Sequence, residues 1–206
     1  YKMFLDGSPQ GRTAWLRRPY QGEQEYRGYG TLTDAEVLDM VRRAGTDGMQ
    51  LLAHCNGDAA CAQYLAALDA AAREGVDLAA LRPVMIHAQL LGRDQLPEVR
   101  RLGVIPSFFV AHVYHWGDVH LENLGPGRAE AISPAGSAAG QGHPGAGEAG
   151  GSGDSGPGPP GGAAGGAPGY SGTGDLEGWR SHLLPGGMSL PPGGKERLQF
   201  FAREVK

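Results

Sequence analysis

Cysteine is scarce in this chain: Cys55 and Cys61 are the only two among 206 residues. Lying six apart around a helix start, they make neither a disulfide framework nor a CxxC redox pair, and they fit a reducing, cytoplasmic setting. Charge of one sign is lacking too. The 18 Lys and Arg against 22 Asp and Glu give a net charge of -4, with no basic block, which argues against a nucleic-acid partner. No apolar run is long enough to span a bilayer, which argues against a membrane partner. An initiator methionine is also missing. Tyr1 is followed by Lys2-Met3-Phe4-Leu5, which reads as mid-protein sequence, so residues are expected upstream.

Glycine is abundant and unevenly spread. Of 36 glycines, 22 lie from Gly136 onward, with eight of the 15 prolines. The first 135 residues read as globular. The stretch 136–174 is mostly Gly, Ala, Pro and Ser, and buries too little apolar surface to offset its ordering entropy. A foldable part of about 135 residues is short for a complete (β/α)₈ barrel.

Along the globular part, apolar runs alternate with helical patterns. Tyr1 to Leu5 reads as a strand stopped by the turn Asp6-Gly7-Ser8-Pro9. Arg12 to Gly30 reads as a long loop. Thr33-Asp34-Ala35-Glu36 is a capping box, followed by Leu38, Val41 and Ala44 at helical spacing, with Gly45 and Gly48 ending the helix. A strand to His54 follows. A helix then starts at Asn56-Gly57-Asp58 and ends at Gly75. A strand to His87 comes next, then a short helix from Gln95 to Leu102 capped by Asp94, and a strand over Val104 to Val110. The order β, α, β, α, β, α, β predicts an α/β fold with a parallel sheet.

Two histidines end consecutive strands. Met49-Gln50-Leu51-Leu52-Ala53-His54 and Pro83-Val84-Met85-Ile86-His87 put both imidazoles on the C-terminal rim of a parallel sheet, where two neighbours can share one metal ion. Each alone reads more readily as a satisfied, packed histidine than as a ligand; it is the pair at equivalent positions that points to metal. Lys2, in the first strand, reads by itself as a solvated strand lysine. His112, His115 and His120, with Tyr114, Trp116 and Asp118, are expected in a loop after the last strand. That loop is either packed by its own aromatics or forms a substrate-pocket wall from His112, Tyr114 and Trp116, with His112 on the substrate carbonyl.

Six segments, in order, carry a resemblance: Lys2 to Ser8, Arg12-Thr13-Ala14, His54 to Ala60, Ile86 to Gln89, Pro106 to Phe109, and Trp116-Gly117-Asp118. Together they resemble the amidohydrolase family 3 branch of the amidohydrolase superfamily, which includes N-substituted formamide deformylases, over residues 1 to about 143. The resemblance implies a partial (β/α)₈ TIM-type barrel, about strands four to seven, over residues 1–143. A low-complexity, disordered or frame-shifted tail over 144–206 completes the chain. It also implies a hydrolase acting on non-peptide carbon–nitrogen bonds of a small amide-type substrate through metal-activated water. One or two divalent ions, zinc foremost, would be held by Lys2 (as a carbamate), His54 and His87, which also form the catalytic set. Asn56 and Asp58 would order the loop after the fifth strand, with Asp58 also suited to cap a helix. An oligomer is compatible with all of this.

Two elements of that pattern are absent. No HxH pair occurs, and it is expected upstream of residue 1. After Ile132-Ser133-Pro134, Ser137-Ala138 and Gly142-His143-Pro144 the pattern fails: Gly145, Ala146, Glu148 and Gly150 stand where Phe, Thr, His and Asp are expected, and Asp154 comes four residues late. A reading-frame shift near codon 145 and a natural glycine-rich tail both account for the break. Fragment status implies that the isolated chain is inactive. The alternatives are a non-catalytic degenerate barrel piece or scaffold, and an unrelated α/β binding domain in which His54 and His87 are packing residues.

Overall fold

The computed structural model describes residues 1–109 and 111–140. Val110, His143 and the whole tail from 144 to 206 lie outside the described residues. Four parallel strands form one sheet in sequential order: β1 (Lys2–Phe4), β2 (Leu52–Cys55), β3 (Val84–His87) and β4 (Ile105–Phe108). The register is continuous, with Phe4 opposite His54, His54 opposite Ile86, and Ile86 opposite Ser107. The α/β fold with a parallel sheet is therefore as the alternating pattern predicts.

Two long helices lie between the strands. α1 (Asp34–Asp47) begins at the capping box, with Thr33 accepting from the Glu36 N–H and Glu36 accepting from the Thr33 N–H. It runs through Gly45 and stops at Gly48, whose φ of 62° is the left-handed C-cap that glycine adopts without a Cβ penalty. Its buried stripe is Val37, Val41 and Ala44, with Leu38 only partly buried at the edge. α2 (Asp58–Arg73) packs Ala60, Cys61, Tyr64, Leu68 and Ala71 on the sheet. The small residues let the helix backbone approach closely. Cys55 and Cys61 are free and buried, and burial holds the Cys55 thiol well above its usual range.

The remaining helices are shorter. α3 (Leu78–Leu81), capped by Asp77, is too brief for a periodicity to reveal. A 3₁₀ turn, Arg93–Gln95, leads into α4 (Leu96–Arg101). Asp94 is not the cap expected of it: Gln95 Oε1 accepts from the Gly92 N–H, while Asp94 pairs with Arg17 at 2.7 Å. Nor does Asp58 cap α2; its Oδ1 accepts the Arg17 N–H at 2.9 Å and anchors the loop after β1.

Residues 111–124 correct another expectation. They form α5 (Ala111–Leu124), not a loop. The buried residues Val113, Gly117, His120 and Leu124 recur at four, three and four residues, a helical stripe masked by polar-tipped side chains. α6 (Pro126–Ala129) and α7 (Ala135–Gly140) follow. Val113, Leu124, Ala129 and Ile132 make a second, smaller core with Ala14, Leu16 and Tyr20 of the long loop. Among the described residues no helix is long and apolar enough to cross a membrane.

Candidate functional site

Because β2 and β3 are adjacent and parallel, their C-terminal ends share a rim. His54 and His87 stand there with ring centroids 4.9 Å apart and planes nearly perpendicular. Register alone pairs His87 with Cys55, whose side chain is in the helix-side core. His87 leaves the pleat instead: its φ is 72° and that of Ala88 is 46°, two successive non-glycine residues in the left-handed region. Such a conformation costs of order 1 kcal/mol per residue and clusters at functional sites. Here it accompanies a ring turned to meet His54.

Lys2 shares the sheet face of His54, since Lys2 and Phe4 alternate with the buried Met3. Its Nζ lies 4.9 Å from the centroid of the Phe4 ring, and that ring is 5.5 Å from His54. The pKa of His87 is lowered, first by burial, then by the neighbouring His54, with Lys2 adding to it and Asp6 opposing. His87 is thereby kept in the neutral form that can donate a lone pair.

Of the three residues expected in the substrate wall, the structure brings only His112 into ring contact with this pair. It is 8% exposed and lies edge-on to His87 at 5.8 Å and to Phe109 at 4.9 Å. Both of its ring nitrogens are buried without a hydrogen-bond partner. Burial and His87 push its pKa down to about 4. Behind it stands His120, fully buried, with Nε2 2.8 Å from the Gln89 side-chain amide and its pKa also pushed down to about 4 by burial and His112. Tyr114 packs its ring on His115, and Trp116 is 43% exposed.

Asp6 is the residue that the sequence reading passes over, taking it only as a turn former. Its side chain is inaccessible at the end of β1. Oδ1 accepts the Asn56 N–H at 2.9 Å, and Oδ2 accepts the Gly57 N–H at 2.7 Å and the Trp15 N–H at 3.0 Å. Oδ1 also lies 3.4 Å from His54 Nδ1. On the other side of the ring, Asn56 Nδ2 donates to the Gly7 carbonyl at 2.8 Å and lies 3.3 Å from His54 Nε2. Asp6 thus ties the loop after β1 to the loop after β2. Gly57 permits the seam, because a Cβ there would stand 1.9 Å from the Trp15 carbonyl oxygen. The one signal that marks Asp6 in the sequence is its place just past a strand end, where rim chemistry collects.

Two imidazoles side by side, one with its buried Nδ1 short of a hydrogen bond, are the kind of donor that zinc and similar ions accept. Among the described residues no three His, Cys, Asp or Glu side chains form a metal-binding group. The pair therefore fits as part of a ligand set.

Parallel strands, helices on one face and polar groups gathered at the C-terminal rim define an α/β protein of the kind that binds ligands beyond its strand ends. Comparison with known proteins narrows this. The sequence model described as "Amidohydrolase family" matches residues 1–149. "Putative amidohydrolase YtcJ" of Bacillus subtilis (strain 168) is 29% identical over 118 residues, covering 56% of this chain and 22% of that protein. An uncharacterized metal-dependent hydrolase from Pyrococcus furiosus is 27% identical with a TM-score of 0.57, over 66% of this chain and 27% of that one. A second, from Pyrococcus horikoshii OT3, is 24% identical with a TM-score of 0.58, over 66% and 26%, and shows likeness of fold. The chain belongs to the amidohydrolase family. It spans 22% of the length of the curated relative and about a quarter of each solved one.

Proposed function

We propose that this chain carries part of the metal centre of a divalent-metal-dependent hydrolase acting on non-peptide carbon–nitrogen bonds. Its sheet is read as four consecutive strands, about the fourth to the seventh, of a (β/α)₈ barrel. The observation that carries the proposal is the His54–His87 pair, 4.9 Å apart on neighbouring parallel strand ends. Family membership and the names of the relatives support it: one is called an amidohydrolase and two are called metal-dependent hydrolases.

In this reading His54 and His87 hold the ion, zinc foremost, and Lys2 joins them as a carbamate, since an ammonium has no lone pair to give. A bound divalent ion supplies the Lewis acidity that makes water nucleophilic near neutral pH. His112 meets the carbonyl oxygen of a small amide-type substrate, which would satisfy one of its two orphaned nitrogens. Tyr114 and Trp116 form the outer wall. The 206 residues alone are expected not to turn over an amide, because the described donors stop short of a full ligand set. That same shortfall favours the second reading, a non-catalytic barrel piece.

The test is metal content. The 206-residue chain dialysed against Zn²⁺ and then against buffer is expected to retain zinc, and His54→Ala and His87→Ala are each expected to lose it at unchanged helicity. Equal zinc in wild type and both variants, or none in the wild type, overturns the assignment.

A further inference from the structure

The loop after β1 and the end of α5 enclose a second feature, an open cleft of about 500 Å³, within the size range of small-ligand sites. Residues 18–23 form one wall and residues 124–128 the other. The walls are tied together. The Gln21 N–H donates to the Asn123 carbonyl at 2.7 Å, and Arg128 Nη1 donates to the Arg18 carbonyl at 3.3 Å. None of Lys2, His54, His87 and His112 lines this cleft.

Charge in the cleft is one-sided. Arg18 and Arg128 both line it, and neither forms an ion pair among the described residues. Glu23, the acid among the lining residues, is already paired with Arg12 at 3.0 Å. Arg128 is half-buried. Its Nε donates to the Leu124 carbonyl at 2.8 Å and its Nη1 to the Arg18 carbonyl. Both partners are carbonyls, so they hold the side chain without neutralising it. Among the described residues Nη2 makes no hydrogen bond. A guanidinium cannot shed its proton, and a partly buried cation without a counter-charge is costly. The pKa of Arg128 is lowered by burial and then by Arg18, with Asp58 and Tyr20 opposing. Two cations therefore stand against each other in a chain whose net charge is -4, so the cleft is a local exception and not part of a basic surface.

We propose that this cleft is an anion site, in which the guanidinium groups of Arg18 and Arg128 take a phosphate dianion between them. Two charges on the ligand match two on the protein, and the planar forks of arginine suit phosphate oxygens. The carbonyls of Leu124 and Arg18 orient the Arg128 fork in advance, which lowers the ordering cost of binding. The alternative role for Arg128 is to cap the end of α5 through Leu124. That role uses Nε, needs no second cation, and gives Arg18 no part.

The experiment is a titration of the 206-residue chain, stripped of metal, with inorganic phosphate at constant ionic strength. It is run at about pH 8, where a phosphate group carries close to two charges, and followed by ¹H–¹⁵N spectra. Saturable shifts confined to residues 18–23 and 124–128 are expected. Arg18→Gln and Arg128→Gln are each expected to weaken binding about tenfold, the worth of one charge-assisted hydrogen bond, and acetate to bind about tenfold more weakly than phosphate. Arg27→Gln, exposed on the same loop but outside the cleft, is expected to change nothing. The proposal is overturned by the absence of saturable shifts, by shifts spread over the chain, by equal affinity for acetate, or by Arg18→Gln and Arg27→Gln having the same effect. Arg18 is exposed and its side chain makes no hydrogen bond among the described residues, so Arg18→Gln decides the matter even where Arg128→Gln does not fold. With no metal in the sample, the result stands or falls independently of the role proposed for His54 and His87.

Discussion

The two faces of the sheet are built from the same four strands and differ sharply. On the helix side, Met3, Ala53, Cys55 and Met85 are sealed beneath α1 and α2. On the other side, Lys2, Phe4, Ile105 and Ser107 are exposed, and Leu52, His54, Val84 and Ile86 are half-covered. Phe4 alone keeps 54% of its surface. Parallel strands are ordinarily apolar on both faces because both are covered. In this chain the helix-side face carries the packing, and the other carries Lys2 and His54, two of the residues proposed above to hold the ion. Stability and chemistry are therefore separable by substitution, one residue apart on the same strand.

The largest expected effect follows directly. Met85→Ala, on the sealed face, should cost about 2–5 kcal/mol, as large-to-small core substitutions do. Phe4→Ala, on the open face, should cost under about 1 kcal/mol, because most of its ring surface is already exposed. Urea denaturation of the full chain measures both. Equal losses would mean that the open face is packed in solution, and the contrast between faces would fail.

Much of this arrangement is legible in the sequence, and the illegible part has physical causes. Strands ending at His54 and His87 show as apolar runs too short for a helix, and the capping box at Thr33 fixes the start of α1 to the residue. The rim position of the histidines then follows from parallel topology. α5 is not legible because its buried stripe contains Gly117 and His120, which a hydrophobicity pattern counts as interruptions. Asp6 is not legible because its partners are backbone N–H groups 9, 50 and 51 residues away, and no side-chain pattern encodes those. The turn of His87 toward His54 is hidden for a similar reason, since alternation predicts the opposite face and only the left-handed φ overrides it. Local signals thus identify elements, while the contacts that assemble the rim depend on chain reversals.

Acid should sharpen the contrast between the faces from the site side. His112 and His120 are neutral in the fold, with pKa values near 4, against 6.5 for an ordinary histidine. Below 6.5 the unfolded chain takes up protons that the folded chain refuses, so stability falls with pH down to about 4 and is fully present above 6.5. Each group shifted this far accounts for on the order of 3 kcal/mol as an upper bound, since water reaching a newly charged ring screens it. Denaturation midpoints at pH 7.5 and pH 4.5 give the loss. His120→Asn should reduce the slope over this window, and an unchanged slope would place its source in the carboxylates.

The smallest effect returns to the helix side. Thr33 is exposed and touches nothing in the sheet, yet its hydroxyl accepts the Glu36 N–H, and Glu36 in turn accepts the Thr33 N–H and hydroxyl at 2.8 Å. Those bonds satisfy donors that the first turn of α1 leaves open, and they hold the Glu36 carboxyl below its usual pKa. Thr33→Ala should cost about 1 kcal/mol. The loss should travel through α1, whose Val37, Val41 and Ala44 lie in the sealed core, and should not reach His54 or His87. A lower urea midpoint with unchanged imidazole signals at the rim is the expected result. A shift of the His54 resonances in Thr33→Ala would show that the packed face and the chemical face are coupled through the sheet, and the separation argued from burial would have to be abandoned.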